Sequence, residues 1–416
     1  MANEFLNPVV ISKELLLRWE NNTVMAKFVN RQFDDDFATP GYKIGYTYNA
    51  RIPWRPKGRR GDGIKPENIV ETVVPIVVNQ LWGGGDLEIS DQDLTMTIDR
   101  VGERYLEGCA ARLANMMDGD LCDLYGDVYN LAGIPGTLPA DLTTYTDAGV
   151  ALDDSATPPD SMRSVVITPR MQAAALGFRN NLFNDQKTIS EQYLTGKMGT
   201  AVGLKWSMDQ NIARQTIGTL SPSGTSNPTV NGANQSGSTL STTGWTSGAT
   251  LNANDIIAVV GMDSVNPLSW RDTGTYRTFT VTALATANGG GVMAIPVSPD
   301  INYDATSSFQ TVLNAPPNGA QILVYNVPYT QFSNISAISS AQALAFHKEA
   351  FALVVVPLEL PGGLDWSERV TDPKTGMSAR LTRGFDIAGN KRYTRFETLG
   401  GVKTVRPEFA CRIAAN

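Results

Sequence analysis

Between residues 89 and 133 the sequence ISDQDLTMTIDRVGERYLEGCAARLANMMDGDLCDLYGDVYNLAG places apolar or aromatic side chains at Leu94, Ile98, Val101, Tyr105, Cys109, Leu113, Met116, Leu121, Leu124, Val128 and Leu131. Steps of three, four or five keep these on one face at 3.6 residues per turn, and the spacing predicts one very long helix. Ser90 stands where an N-cap belongs, Asp91 and Asp93 suit the first turn, and Gly133 followed by Pro135 supplies the stop. At ~1.5 Å per residue such a helix runs on the order of 60 Å, about twice the diameter of a small domain. With a single apolar stripe and no heptad regularity, it reads as a spine laid across a sheet. Ile98, Val101, Tyr105 and Leu113 form its buried core, and Glu107 lies on the far side. The alternative is two helices broken at Gly119 or Gly126.

A chain of 416 residues can bury a large core and divide into two or three domains. The formal charge of −7 argues against a dedicated nucleic-acid binder. No apolar run approaches the roughly 20 residues that span a bilayer, so no membrane association is expected. The N-terminus carries Glu4 and lacks a basic start before an apolar stretch, so no secretion signal is read there and a cytoplasmic origin is expected. Cys109, Cys122 and Cys411 have no CxxC spacing and are expected to be buried free thiols, neither a metal site nor a disulfide frame.

Residues 12–31 begin with a capping-box-like Ser12 and predict a short arm helix. Tyr42 to Pro53 and Asn68 to Leu81 then read as strands flanking a loop of Gly, Pro, Lys and Arg, an extended hairpin with a basic tip. From Arg51 to Lys65 there are six basic residues against Asp62 alone, whereas Asp86 to Asp127 holds eleven acids against three arginines. A basic run can be a solvated loop. It can also be an arm reaching an acidic surface on another copy of the chain, with Arg55, Lys57, Arg59 and Arg60 as the contact residues.

Ala140 to Asp160 reads as a connection, and RSVVITPRMQAAALGF as a strand running through a proline into a helix. VGLKWSMDQNIARQT suggests a strand that runs into a short helix. No lysine occurs between Lys205 and Lys348 and no glutamate between Glu191 and Glu349, which marks an inserted domain. Inside it Asp255 to Val260, Tyr276 to Leu284, Val292 to Val297, Phe309 to Leu313 and Gln321 to Val327 read as short strands of a barrel or sandwich. Leu220 to Leu251 reads as long surface loops or a partly ordered lead-in. ISSAQALAFHKEAFALVVVPLELPGG reads as an apolar helix and a strand. The end of the chain, with ten basic residues against five acids from Glu368 to Arg412, reads as two or three strands of a half-buried sheet with a basic face, on which the long helix packs.

Catalytic chemistry is hard to assemble from these residues. The single histidine, His347, reads as structural. The GGG runs at 83–85 and 289–291 lack the setting and the Lys-Ser or Lys-Thr of a phosphate loop and read as turns. Asp34, Asp35 and Asp36 lack the glycine and distal glutamate of a calcium loop. No catalytic, metal or cofactor-binding residue is assigned, and no enzyme activity is expected.

ISKELLLRWENNTVMAKFVNRQF, PGYKIGYTYNARIPWRP, FHKEAFALVVVPLELPGG and LTRGFDIAGNKRYTRFETLGGVKTVRPEFACRI together resemble the major capsid protein of tailed bacteriophages, of the branch carrying an inserted telokin-like β-barrel. The resemblance spans nearly the whole chain, is weakest in the insert, and rests on the ensemble of segments. It implies an α+β capsid fold with an N-terminal arm (1–41), an extended loop (42–85), a peripheral domain (86–139 and 366–416), an axial domain (140–217 and 331–365) and an inserted all-β domain (218–330). It further implies pentamers and hexamers of an icosahedral shell, a scaffolding protein and a portal during assembly, weak non-specific contact with packaged double-stranded DNA, and location in the virion after assembly in the bacterial cytoplasm. A phage tail or surface-layer protein is the competing reading, and a carbohydrate-binding or hydrolytic protein a third.

Overall fold

The computed structural model describes residues 8–31, 47–90 apart from 60, 65, 68 and 70, 101–177 apart from 140, 199–328 apart from 223–226, and 331–416 apart from 373–375, 388 and 390. The chain divides into two compact units, one of residues 1–51, 73–122 and 351–405, the other of residues 52–72, 123–350 and 406–416.

The first unit is built on a five-stranded antiparallel sheet. Its longest strand, Lys391–Thr404, pairs with Gln80–Ser90 along one edge, and along the other with Ser378–Asp386 and then Phe351–Val356. Trp366–Thr371 lies outside Ser378–Asp386. Helices Pro8–Asn22 and Val101–Cys122 pack with this sheet, and Trp19, fully buried, meets the Phe396 ring edge-on at 6.4 Å. The helix buries Cys109, Ala110, Leu113, Ala114, Met117, Leu121 and Cys122, spaced to share one face. Its buried Asp118 accepts the backbone N–H of Val24 (2.6 Å) and Ala26 (2.9 Å), which fixes the turn that follows the arm helix. Burying a carboxylate is affordable only because those donors replace water.

The spine helix is shorter than the pattern predicts. It ends at Cys122, passing Gly119 unbroken, and its 22 residues at ~1.5 Å each span about 33 Å. Ser90 is the last residue of a strand, and residues 91–100, which include Ile98, lie outside the described residues. After a 3-10 turn at Asp123–Asp127 the chain enters the strand Asn130–Ala132, so Val128 and Leu131, which extend the apolar stripe in sequence, belong to the second unit. The GGG at 83–85 is likewise no turn. It lies inside Gln80–Ser90, and a Cβ on Gly84 would stand 2.5 Å from the Cys109 carbonyl oxygen. The bare backbone is what lets strand and helix approach.

The second unit holds a mixed seven-stranded sheet, in the order Asn130–Ala132, Ala410–Ala415, Ser339–His347, Arg163–Ile167, Leu204–Met208 and Thr200–Ala201, with Arg214–Thr216 also pairing with Ser339–His347. Helices Thr143–Asp154 and Pro169–Gly177 contribute Tyr145, Ala148, Leu152, Met171 and Ala175 to its core. The strand-to-helix reading of 163–177 matches. Thr143–Asp154, in the stretch read as a connection, is an addition. The segment read as an apolar helix, Ser339–His347, is a central strand buried on both faces, and such a run cannot be told from a helix by periodicity. Where a short helix was expected after Leu204–Met208, the described chain forms the strand Arg214–Thr216.

Between Arg214–Thr216 and Ser339–His347 lies an antiparallel six-stranded sheet ordered Ile322–Val324, Ile256–Val265, Asp272–Val281, Val292–Ile301, Gly237–Thr243 and Thr229–Val230. Val230 N–H bonds the Ala320 carbonyl and Ile322 N–H the Pro228 carbonyl, each at 2.9 Å, joining the last strand to the first and closing a barrel. Its interior is filled by Leu240, Ile257, Val259, Phe279, Val281, Met293 and Ile295. Two of its strands lie in the Ser- and Thr-rich stretch read as loops. Phe309 to Leu313, read as a strand, contributes only an isolated bridge at Val312. The turn at 289–291 is as expected.

Two segments fall on the other side of the division from that expected. Ala410–Ala415 pairs with Ser339–His347 in the second unit, and Phe351–Val356 joins the sheet of the first. Ala410–Ala415 is buried along its whole length, and a strand of that kind goes where both of its faces can be covered.

Candidate functional site

His347 is 2% exposed, with Nε2 3.2 Å from both Asp160 oxygens, Nδ1 accepting the Glu349 N–H, and its ring edge-on to Phe409. Every polar atom of the imidazole is occupied in holding the fold. The three cysteines are buried and unbridged, and burial raises the pKa of Cys109 and Cys411. Among the described residues no group of His, Cys, Asp and Glu could hold a metal ion, and no helix is long and apolar enough to cross a membrane. Asp34, Asp35 and Asp36 lie outside the described residues.

The basic hairpin tip is therefore the candidate, and its residues have different surroundings. It stands between the strands Thr47–Ile52 and Thr72–Val77, and residues 52–72 belong to the second unit. Arg55 forms an ion pair with Glu408, which is 13% exposed on the side-chain scale. Lys57 places Nζ 4.4 Å from the centre of the Trp270 ring, donates to the Ala305 carbonyl, and lies 3.2 Å from Gln310 Oε1. Burial lowers the pKa of Lys57, and Asp304 and Glu67 oppose that shift. Arg59 donates to the carbonyls of Gly61 and Gly63, bracing the turn, and is itself exposed. Arg60 lies outside the described residues. Nothing in the spacing of the sequence announces Glu408, Trp270 or Gln310, the first of which lies 353 residues from its partner.

The acidic block and the basic C-terminal sheet partly neutralise one another inside the first unit. Arg395 Nε is 3.1 Å from Asp86 Oδ1, Lys391 pairs with Glu88, and Arg380 pairs with the buried Glu397. Arg18 reaches Glu107 at 3.4 Å, and the Trp82 indole N–H donates to Asp120 at 2.6 Å. The sheet face is thus a ladder of alternating charges in place of the basic face expected. Of the four core positions assigned to the spine, Leu113 is fully buried. Val101 and Tyr105 lie in the helix with side chains outside the described set, and Ile98 falls wholly outside the described residues.

Residues 214–412 match the family model described as "P22 coat protein - gene protein 5", a span that begins at the strand before the barrel and ends within the last strand of the chain. No curated protein matches the chain. Similar solved structures include that of Mycobacterium phage Che8, 15% identical, with 94% of this chain and 90% of that one covered and a TM-score of 0.46. The capsid of Ralstonia phage GP4 is 9% identical, with 93% and 87% covered and a TM-score of 0.46. The CUS-3 coat protein I-domain is 23% identical, with 25% of this chain and 98% of that one covered and a TM-score of 0.20. The coat-protein match takes in the barrel and most of the strands that follow it, and over residues 214–412 the chain is similar to a phage coat protein.

Proposed function

We propose that this protein self-assembles, as pentamers and hexamers, into the icosahedral shell enclosing the double-stranded DNA genome of a tailed phage. The observation that carries the reading is the coat-protein match across the barrel and the C-terminal strands. A closed shell needs heterologous contacts that close into rings, made by parts reaching beyond their own subunit. The outer hairpin tip, exposed from Gly58 to Ile64 among the described residues and carrying Arg59, has that character, and the proposed intersubunit contact is made by Arg55, Lys57, Arg59 and Arg60. Each contact can be weak because many act together on one subunit. In this reading the extended loop is 42–85, the peripheral domain is built on 86–122 and 351–405, the axial domain on 123–217, 331–350 and 406–416, and the insert 218–330 lies on the outside of the shell. A scaffolding protein and a portal take part in assembly in the host cytoplasm, and the acidic total keeps contact with the packaged DNA weak. The role is structural, with no catalytic step.

Electron microscopy of the purified, assembled protein tests this. Closed shells are expected, whereas tubes or flat sheets would replace the reading with that of a tail or surface-layer protein. Replacing Arg59 and Arg60 by Ser should impair shell formation while leaving circular dichroism unchanged. Assembly at parental efficiency would reduce the tip to a solvated loop.

A further inference from the structure

The receptor for Lys57 is built, not incidental. Trp270 sits at φ +57, a left-handed conformation that bulky residues rarely adopt. The turn that imposes it is tied down by Asn266, whose side-chain oxygen accepts the N–H of Leu268 and of Ser269, each at 3.0 Å, while its carbonyl accepts the Trp270 N–H at 2.9 Å. The indole N–H points back at the Pro56 carbonyl, 3.4 Å away. The lysine ammonium has three donors, and the site offers it three acceptors: the Ala305 carbonyl, the Gln310 amide oxygen and the indole face. Asp304, exposed and held by the N–H and hydroxyl of Thr306, adds a negative charge beside them. The Arg55 pair with Glu408 fixes the base of the same tip. Two of the four basic residues offered to a neighbouring copy are therefore spent within the subunit.

We propose that the barrel latches the hairpin tip of its own subunit through Lys57, and that this hold competes with docking of the tip on a second copy, so that the free subunit carries its own brake on assembly. The brake rests on the reading of the tip as an intersubunit contact, and the latch does not. One ammonium group cannot fill both places, so docking that uses Lys57 requires its release from Trp270. The brake is also gentle. A cation only partly buried on an aromatic face is held weakly enough to be outcompeted once several copies present their surfaces together.

The test uses the full-length subunit with Trp270→Asn, chosen because asparagine tolerates positive φ, and Gln310→Ala as a second receptor variant that leaves the turn intact. Trypsin cleavage after Arg59 in the unassembled subunit reads the latch, and light scattering against subunit concentration reads assembly. Both variants should be cleaved several-fold faster than the parent and form shells at a several-fold lower concentration. Unchanged cleavage in both overturns the latch. Faster cleavage with assembly unchanged or slowed overturns the brake. Parental assembly by Arg59→Ser with Arg60→Ser removes the intersubunit reading and the brake with it, leaving the latch to be judged by cleavage alone.

Discussion

Arg412 offers the sharpest test of how the barrel is rooted. The residue is fully buried in the strand Ala410–Ala415 and donates to the carbonyls of Val128 (2.6 Å), Asn254 (2.7 Å) and Gly126 (3.1 Å) and to the Thr280 hydroxyl (3.1 Å), with its guanidinium 5.2 Å from the centre of the Tyr125 ring. Two of these acceptors, Asn254 and Thr280, belong to the barrel segment, and two to the chain that follows the spine helix. Arg412→Met keeps much of the volume and removes every donor. A buried carbonyl left without its partner costs about 1–3 kcal/mol. Val128 keeps a bond from the Thr280 hydroxyl at 3.1 Å, so the loss falls mainly on Gly126 and Asn254. Relief of the guanidinium's own desolvation pulls the other way, which leaves a net destabilisation of roughly 2–4 kcal/mol. Arg412→Lys should recover only part of this, since one ammonium cannot reach acceptors spread over a planar fork. A chain of two compact units need not unfold in one step, so the appropriate measurement is native-state hydrogen exchange on the amides pairing Ala410–Ala415 with Ser339–His347. Unchanged or increased protection in Arg412→Met would refute the argument and show that the root tolerates an apolar replacement.

Leu113→Asp should yield insoluble or proteolysed subunits, at a cost of roughly 3–5 kcal/mol for an unpaired charge in the core, whereas Glu107→Gln loses only a surface pair and should melt with the parent; equal stability would mean that the stripe is not buried. Asp255 is pushed up to about 6 by burial, against its bonds from Gly218, Gln215 and Asn252, and a folded pKa above the unfolded 3.8 means that the fold gains stability as pH falls from about 6 towards about 4 and loses it as pH rises through 6. Chemical denaturation of Asp255→Asn across pH 4 to 7 should show a flatter profile than the parent, and identical slopes would place the titration elsewhere. Gly84→Ala puts a methyl 2.5 Å from the Cys109 carbonyl oxygen and 2.9 Å from Phe396 Cδ1, so a thermal melt should fall by several degrees for a cost of about 1–3 kcal/mol, while Gly119→Ala, with nothing within 4 Å, should be neutral or stabilising.

The local patterns determined a good deal. β-branched runs between turn residues marked three of the long barrel strands, the strand–proline–helix signature marked 163–177, the composition break marked the segment that forms the barrel, and a single histidine made an imidazole-based catalytic centre implausible. Only tertiary structure decided the rest, because the deciding partners are remote in sequence. The spine stops at Cys122 because Val128 and Leu131 find their burial beside Ala410–Ala415, and apolar steps of three to five residues fit helix and strand alike. Ser339–His347 is rich in helix formers, yet pairing with Ala410–Ala415 on one side and with Arg163–Ile167 and Arg214–Thr216 on the other holds it extended. Gly237–Thr243 carries almost no hydrophobic signal and becomes a strand because it pairs with Val292–Ile301 and buries Leu240 and Thr242. Charge composition marked the hairpin tip, but whether a lysine there faces solvent, a neighbour or its own barrel depends on a tryptophan 213 positions away, and no local pattern encodes that meeting.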